Sequence, residues 1–234
     1  MRTLTDLFFP PRCVVCDGIL RDFEHGICMR CRPAVHQIGA PYCMKCGKEL
    51  RDDAQIYCAD CQVHAHDFDS GRSLLLYNEP MRKSIYRFKY DGRKEYAAYY
   101  GQILAQTFAQ WIASVNPDVL IPIPLHKDRL KKRGYNQAEL IANALSAYVS
   151  VPVNNRLLIR GIRTEKQKEL NVSERENNLK KAFKSTENDV KLYSALLIDD
   201  IYTTGATADA AAACLKEAGI RRVHILTLCI GRNT

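Results

Sequence analysis

The spacing of apolar residues divides most of the chain into stretches of two kinds. Residues 118–123, 195–198 and 222–230 are short, nearly continuous apolar runs, the pattern of strands covered on both faces. Elsewhere the period lengthens. In 93–115 apolar side chains recur at Tyr96, Tyr100, Ile103, Leu104, Phe108, Trp111, Ile112 and Val115. In 138–149 they recur at Leu140, Ile141, Ala144, Leu145 and Tyr148, and both stripes belong to helices that lay one face on a sheet. Shorter helices are predicted at 80–90, with Pro80 at a tolerated first position and Asp91-Gly92 as the stop, and at 206–218, alanine-rich and closed by Gly219. Residues 72–77 and 156–160 read as further strands. Pro122 has no N–H to give a ladder, so it must lie near its strand's end or where a neighbour is missing. From 156 to 184 the pattern fails: nine basic and four acidic residues without a period read as a long polar loop of a functional kind. Strands alternating with helices predict an α/β fold over residues 67–234, a parallel sheet flanked by helices with its ligand at the strands' carboxyl ends.

Residues 1–66 follow neither period. Their signal is Cys13, Cys16, Cys28, Cys31, Cys43, Cys46, Cys58 and Cys61, four C-x2-C pairs separated by equal intervals. Two such pairs complete a tetrahedral four-thiolate site with no open position, so the spacing predicts two structural zinc ions in a zinc-ribbon-like module. Sequential pairing, 13/16 with 28/31 and 43/46 with 58/61, is the simplest arrangement, and a cross-braced one is also open. Gly47 would give the Cys46 thiolate close backbone donors. His64 and His66 read as surface histidines. A module so poor in large apolar side chains folds only with its metal, and recognition or docking is its expected role. Cys214 and Cys229 stand outside the set and read as small buried hydrophobes.

The chain has 234 residues, 47% of them hydrophobic, and no run approaches the length of a membrane span. The first residues lack a secretory signal, so the expectation is a soluble cytoplasmic protein in which cysteines hold metal rather than disulfides. The net charge of +8 is unevenly placed. Residues 1–66 balance eight basic against eight acidic side chains, leaving the whole excess in 67–234. That excess suits a polyphosphate ligand or a nucleic-acid backbone.

The candidate chemistry sits where the 195–198 run ends. Asp199 and Asp200 are followed by Thr203, Thr204, Gly205, Ala206 and Thr207 and then by a helix. A strand, a tight turn and a helix N-terminus present free N–H groups to a phosphate. Adjacent carboxylates accept hydrogen bonds from vicinal hydroxyls, so the combination predicts a sugar phosphate. After the strand at 118–123, five of the seven residues 127–133 are basic, and Arg129 and Arg133 are candidates to neutralise a pyrophosphate from that loop. Tyr96, Tyr99 and Tyr100 are a candidate base-stacking platform, and Trp111 reads as core.

The A-L-L-I-D-D-I-Y-T-T-G-A-T-A stretch resembles the phosphoribosyl-pyrophosphate (PRPP) signature of type I phosphoribosyltransferases. The resemblance implies that Asp199 and Asp200 bind the ribose 2′ and 3′ hydroxyls, that 203–207 bind the 5′-phosphate, and that Pro124, Leu125 and His126 contact pyrophosphate. Tyr202 replaces a usual aliphatic residue, and Thr203 replaces the aspartate of purine-salvage members, which disfavours a purine substrate. With the tandem C-x2-C pairs, P-I-P-L-H-K-D-R, R-G-Y-N-Q, Q-x2-L and R-x2-N-L-x3-F in order, the chain is similar to the ComF family of bacterial proteins, implicated in handling transforming DNA. By that resemblance Arg160, Thr164, Gln167, Arg175 and Asn178 lie in a flexible loop closing over PRPP, and Mg²⁺ accompanies it. Two functions remain open. One is a PRPP-binding protein that supports DNA uptake with single-stranded DNA or a DNA-processing partner, with or without phosphoribosyltransferase activity. The other is a phosphoribosyltransferase of nucleotide or cofactor metabolism with an unidentified acceptor.

Overall fold

A computed structural model describes residues 10–161, 182–186 and 192–232. The strands are β1 (Ser70–Leu76), β2 (Val119–Pro122), β3 (Leu158–Arg160), β4 (Phe183–Ser185), β5 (Ser194–Tyr202) and β6 (Arg222–Ile230). The α-helices are α1 (Ala59–Val63), α2 (Glu79–Tyr90), α3 (Tyr96–Val115), α4 (Lys127–Arg133), α5 (Gln137–Val149) and α6 (Ala206–Glu217). Four strands form one sheet in the order β1-β6-β5-β2, every pair parallel. β3 and β4 make a separate antiparallel pair.

Each apolar run is continuous because the sheet is covered on both sides. Leu196 and Ile198 of β5 join Phe88, Tyr100, Leu104, Ile141 and Leu145 in the layer under α2, α3 and α5. Ala195 and Leu197 face the other way, onto Phe68, Leu158, Ala211 and Leu215. Pro122 is the last residue of β2, and outside β2 lies a single bridge from Leu120 to Val153, so the missing N–H interrupts no ladder.

Three elements differ from the sequence expectation. β5 continues past the carboxylates to Tyr202, because β6 is long enough to pair with it there: Asp199 sits opposite Thr227 and Tyr202 opposite Ile230. The basic stretch after β2 is a helix rather than a loop. His126 caps α4 by accepting from the Asp128 N–H at 3.3 Å, its last turn carries Lys131, Lys132 and Arg133 against the negative dipole end, and Gly134 closes it in the left-handed conformation. The polar stretch 156–184 contains β4 as well as β3, a strand that Phe183 alone could not announce.

The cysteine-rich region is packed onto this frame. Ile38 donates to the Leu74 carbonyl and Leu76 to that of His36, both at 2.9 Å, so residues 36–38 cover the β1 edge in antiparallel fashion. On one side Cys13, Val14, Leu20 and Ile27 join the core under α2 and α3. On the other, Cys43, Cys46, Leu50 and Cys58 join the core that includes α6. The stacking platform that the number of tyrosines left open at Tyr96, Tyr99 and Tyr100 does not form: Tyr96 and Tyr100 are buried, and Tyr99 lies edge-on against His25 at 5.7 Å. Their place in the α3 stripe turns them inward, and the Tyr96 hydroxyl donates to Asp17 Oδ1 at 2.7 Å. No helix among the described residues is long and apolar enough to cross a membrane.

Candidate functional site

The eight C-x2-C thiols gather into two quartets, Cys13/Cys16/Cys28/Cys31 and Cys43/Cys46/Cys58/Cys61, which is the sequential pairing. All Sγ atoms of a quartet lie within 4.8 Å of one another. Cys16 and Cys28 are 3.8 Å apart and Cys46 and Cys58 3.7 Å. A tetrahedron of sulfurs about 2.3 Å from a zinc ion has edges of about 3.8 Å. The donor set and its spacing fit structural zinc, with no place for a reacting ligand. His64 is exposed and bonds Asp60. His66, expected at the surface, is buried: its Nδ1 is 2.8 Å from Asp209 Oδ2, while Asp209 Oδ1 accepts from the Asp67 N–H at 2.9 Å. It thereby ties the end of the cysteine-rich region to the first turn of α6.

The same turn carries the sugar-phosphate candidate. Gly205 caps α6 at φ +85°, and a Cβ there would lie 2.4 Å from the Tyr202 hydroxyl and 2.9 Å from His66 Cε1. Only glycine fits both the backbone and the space. Because Asp209 makes the first helical bond, to the Gly205 carbonyl, the N–H groups before it are free for an anion. Thr203 and Thr204 are exposed, with Ala206 and Thr207 partly so.

Beside this turn a cavity of about 140 Å³ lies at the carboxyl ends of β2 and β5. Of the expected residues, Asp199, Asp200, Thr207, Pro124, Leu125, Arg129, Arg133 and Arg160 line it. Thr203 and Gly205 line a smaller adjoining space that shares Asp199 and Thr207. His126 serves α4 as its cap and lines neither, nor do Thr204 and Ala206. Thr164, Gln167, Arg175 and Asn178 lie outside the described residues. Helix formation explains why both α4 arginines arrive together, since residues four apart share a face.

Electrostatics in the cavity are dominated by the acidic pair. Loss of water contact, and then the neighbouring Asp200 charge, push the Asp199 carboxyl up to about 8. Lys89 of α2 opposes them, its Nζ 2.5 Å from Asp200 Oδ2. Burial and the nearby Arg129 charge hold the Arg160 guanidinium below its usual range, and it sits 5.3 Å from the Phe183 ring. Arg133 donates to Gln137 Oε1 and to the Tyr90 hydroxyl, both at 2.9 Å, and faces the Tyr90 ring at 4.9 Å.

Sequence reasoning assigned no site role to Lys89, Asn136 or Gln137, all of which line the cavity. Lys89 follows Ile85 by one helical turn and stands at the flank of the buried stripe Met81, Ile85 and Phe88, which is the signal available for it. Asn136 caps α5 and donates to the Ile123 carbonyl at 3.0 Å, joining the end of β2 to that helix.

Comparison with known proteins matches residues 4–62 to a double zinc ribbon domain and residues 94–234, more than half of the chain, to a phosphoribosyl transferase domain. Competence protein F of Haemophilus influenzae is 30% identical over 227 residues, spanning 93% of this chain and 96% of that protein. The chain belongs to the ComF family. Competence protein ComFC of Bacillus subtilis is 36% identical over 152 residues, 63% of this chain and 58% of that protein. DNA utilization protein YhgH of Escherichia coli K12 is 28% identical over 156 residues, 65% and 68% of the two chains. This ComF member therefore combines a double zinc ribbon with a phosphoribosyltransferase-like domain. The stretch between the two matched segments, 63–93, contains both His66 and Lys89.

Proposed function

We propose that this protein binds PRPP at the β5 cavity and supports DNA uptake. The carrying observation is one cavity at the strands' carboxyl ends, lined by Asp199, Asp200 and the turn residue Thr207 on one hand and by Arg129, Arg133 and Arg160 on the other. In this reading Asp199 and Asp200 accept from the ribose hydroxyls, 203–207 hold the 5′-phosphate, and the arginines, with Pro124 and Leu125, hold the pyrophosphate. Residues 1–66 and 67–234 act as the zinc module and the ligand-binding domain. Magnesium would enter on the ligand's oxygens beside Asp199, a carboxylate chemistry that suits it. If an acceptor is present, its nucleophile attacks the anomeric carbon as the bond to pyrophosphate breaks, and catalysis consists of positioning and charge stabilisation. Such turnover is the alternative role in nucleotide or cofactor metabolism. Calorimetric titration of the zinc-loaded protein with PRPP and Mg²⁺ is expected to show binding that Asp199→Ala/Asp200→Ala abolishes. Equal binding by that variant, or none by the wild type, would rule the cradle out. Release of pyrophosphate on adding candidate acceptors separates an enzyme from a binding protein.

A second observation supports single-stranded DNA as partner. Tyr86 and Tyr90, one turn apart on α2, are 57% and 49% exposed, with ring centroids 5.0 Å apart. A groove of about 490 Å³ beside them is lined by Arg82, Lys83, Tyr86, Arg87 and Asp91. Exposed aromatics among cations stack bases while the cations follow the backbone. The names of the H. influenzae, B. subtilis and E. coli relatives point the same way, and in this reading the protein works in the cytoplasm beside a DNA-processing protein. Fluorescence anisotropy with an oligothymidine should show salt-sensitive binding weakened by Tyr86→Ala; an unaffected variant would remove α2 from the interface.

A further inference from the structure

Lys89 is an unusual residue to find on the acidic pair. Its side chain and that of Asp200 are only 18% and 11% exposed, and their ion pair is 2.5 Å long. An ion pair so far out of water adds little stability, because desolvation offsets the attraction. An ammonium carries three N–H donors, and an ion pair with one carboxylate oxygen cannot engage them all. The others share a cavity with Arg129, Arg133 and Arg160. In an α-configured 1-pyrophosphate sugar, the pyrophosphate and the 2-hydroxyl stand on adjacent carbons and on the same face of the ring. A cation fixed on the carboxylates that hold the 2-hydroxyl is therefore next to the first phosphate.

Resting on the PRPP reading above, we propose that Lys89 selects the pyrophosphate of the ligand, its ammonium bridging Asp200 and the phosphate on the anomeric carbon. It reaches the site from α2, before the segment matched to the phosphoribosyl transferase domain begins, so a residue outside that segment completes the cavity. When the bond from the anomeric carbon to pyrophosphate breaks, its electron pair stays on the leaving oxygen, whose charge Lys89 offsets while an acceptor's nucleophile forms the new bond. In a protein that only binds, the same contact makes PRPP the preferred ligand over sugar phosphates without pyrophosphate.

The test compares two ligands on full-length, zinc-loaded protein by calorimetry: PRPP, and ribose 5-phosphate, which lacks the pyrophosphate. Lys89→Gln, which preserves a donor to Asp200, is expected to weaken PRPP by about 10- to 100-fold, the worth of one charge-assisted hydrogen bond, and ribose 5-phosphate by less than about threefold. Lys89→Arg should recover part of the PRPP affinity. Equal losses for both ligands would mean that Lys89 only supports the acidic pair, and unchanged PRPP affinity would mean that it does not touch the ligand; either overturns the proposal while leaving the cradle standing. If the wild type binds neither ligand, the cradle reading fails and the Lys89 proposal with it. Should Lys89→Gln not fold, Lys89→Met/Asp200→Asn removes both buried charges together and is read against Asp200→Asn alone: the extra loss must again be confined to PRPP.

Discussion

Asp17 and Gly47 occupy equivalent places in the two zinc ribbons, and what surrounds them shows how one local structure serves two ends. In both ribbons the knuckle closes alike: Asp17 N–H donates to the Cys13 carbonyl and Gly47 N–H to that of Cys43, each at 2.8 Å. Leu20 bonds Pro11 in the first ribbon as Leu50 bonds Pro41 in the second. Both positions are left-handed, φ 64° at Asp17 and 77° at Gly47. The surroundings differ. Asp17 lies where its carboxylate can reach α3 and the residues before it, taking Arg93 Nη2 at 2.5 Å and the Tyr96 hydroxyl at 2.7 Å. Gly47 lies against β1, where a Cβ would be 2.7 Å from the Arg72 Cα and 3.0 Å from the Gly71 carbonyl oxygen. Asparagine and aspartate tolerate the left-handed region; beside a backbone, only glycine also fits. At this one position the first ribbon is docked by polar bonds and the second by close approach. Each also braces one wall of the candidate site: Val15 accepts from Arg87 of α2, the helix of Lys89, and the second ribbon leads through His66 to α6.

The largest effect should come from breaking a quartet. Elemental analysis is expected to find two zincs per chain, and Cys43→Ser/Cys46→Ser to unfold the second ribbon and disorder the α6 side, since those thiols belong to its core. If thermal melting of that variant matched the wild type, the ribbons would be independent of the sheet. Next, Gly47→Ala should cost about 2–4 kcal/mol in chemical denaturation, from left-handed strain and a collision with backbone that cannot move aside. Asp17→Ala should cost less, about 1–3 kcal/mol, because it strands Arg93 and Tyr96 without a clash. Reversal of that order would show that polar docking outweighs close approach.

A separate effect is one of pH. With its carboxyl raised to about 8 against an ordinary 3.8, Asp199 holds its proton in the folded chain through a range where the unfolded chain has released it. Its contribution is complete below pH 4 and is lost as pH rises to about 8, so stability should fall across that window more in the wild type than in Asp199→Asn. Parallel melting curves for the two proteins between pH 5 and 9 would show that the carboxyl is not held protonated.

Much of this was legible in the residues. The continuous runs of β2, β5 and β6 and the stripes of α3 and α5 announced their elements, and the eight thiols announced two metal sites, because covalent spacing alone brings a C-x2-C pair onto one ion. The acidic pair and the glycine-hinged turn could be recognised for the same reason: their chemistry lies within a few consecutive residues. Lys89 could not. Its basicity was visible in the helix, but its direction depended on which face of α2 packs on the sheet. The tyrosines failed similarly, with Tyr96 and Tyr100 drawn into the core while Tyr86 and Tyr90 stayed outside.

By itself, then, the sequence determined most of the strands and helices, the eight thiols of the zinc sites and the glycine-hinged turn after the acidic pair, all set by periodicity or by contiguous residues. Tertiary structure alone decided that the two ribbons straddle the β1 edge, that His66 and Asp209 meet across most of the chain, and that a lysine from α2 rests on Asp200. Those contacts join residues whose nearness depends on how the sheet stacks its layers, and no local pattern encodes that.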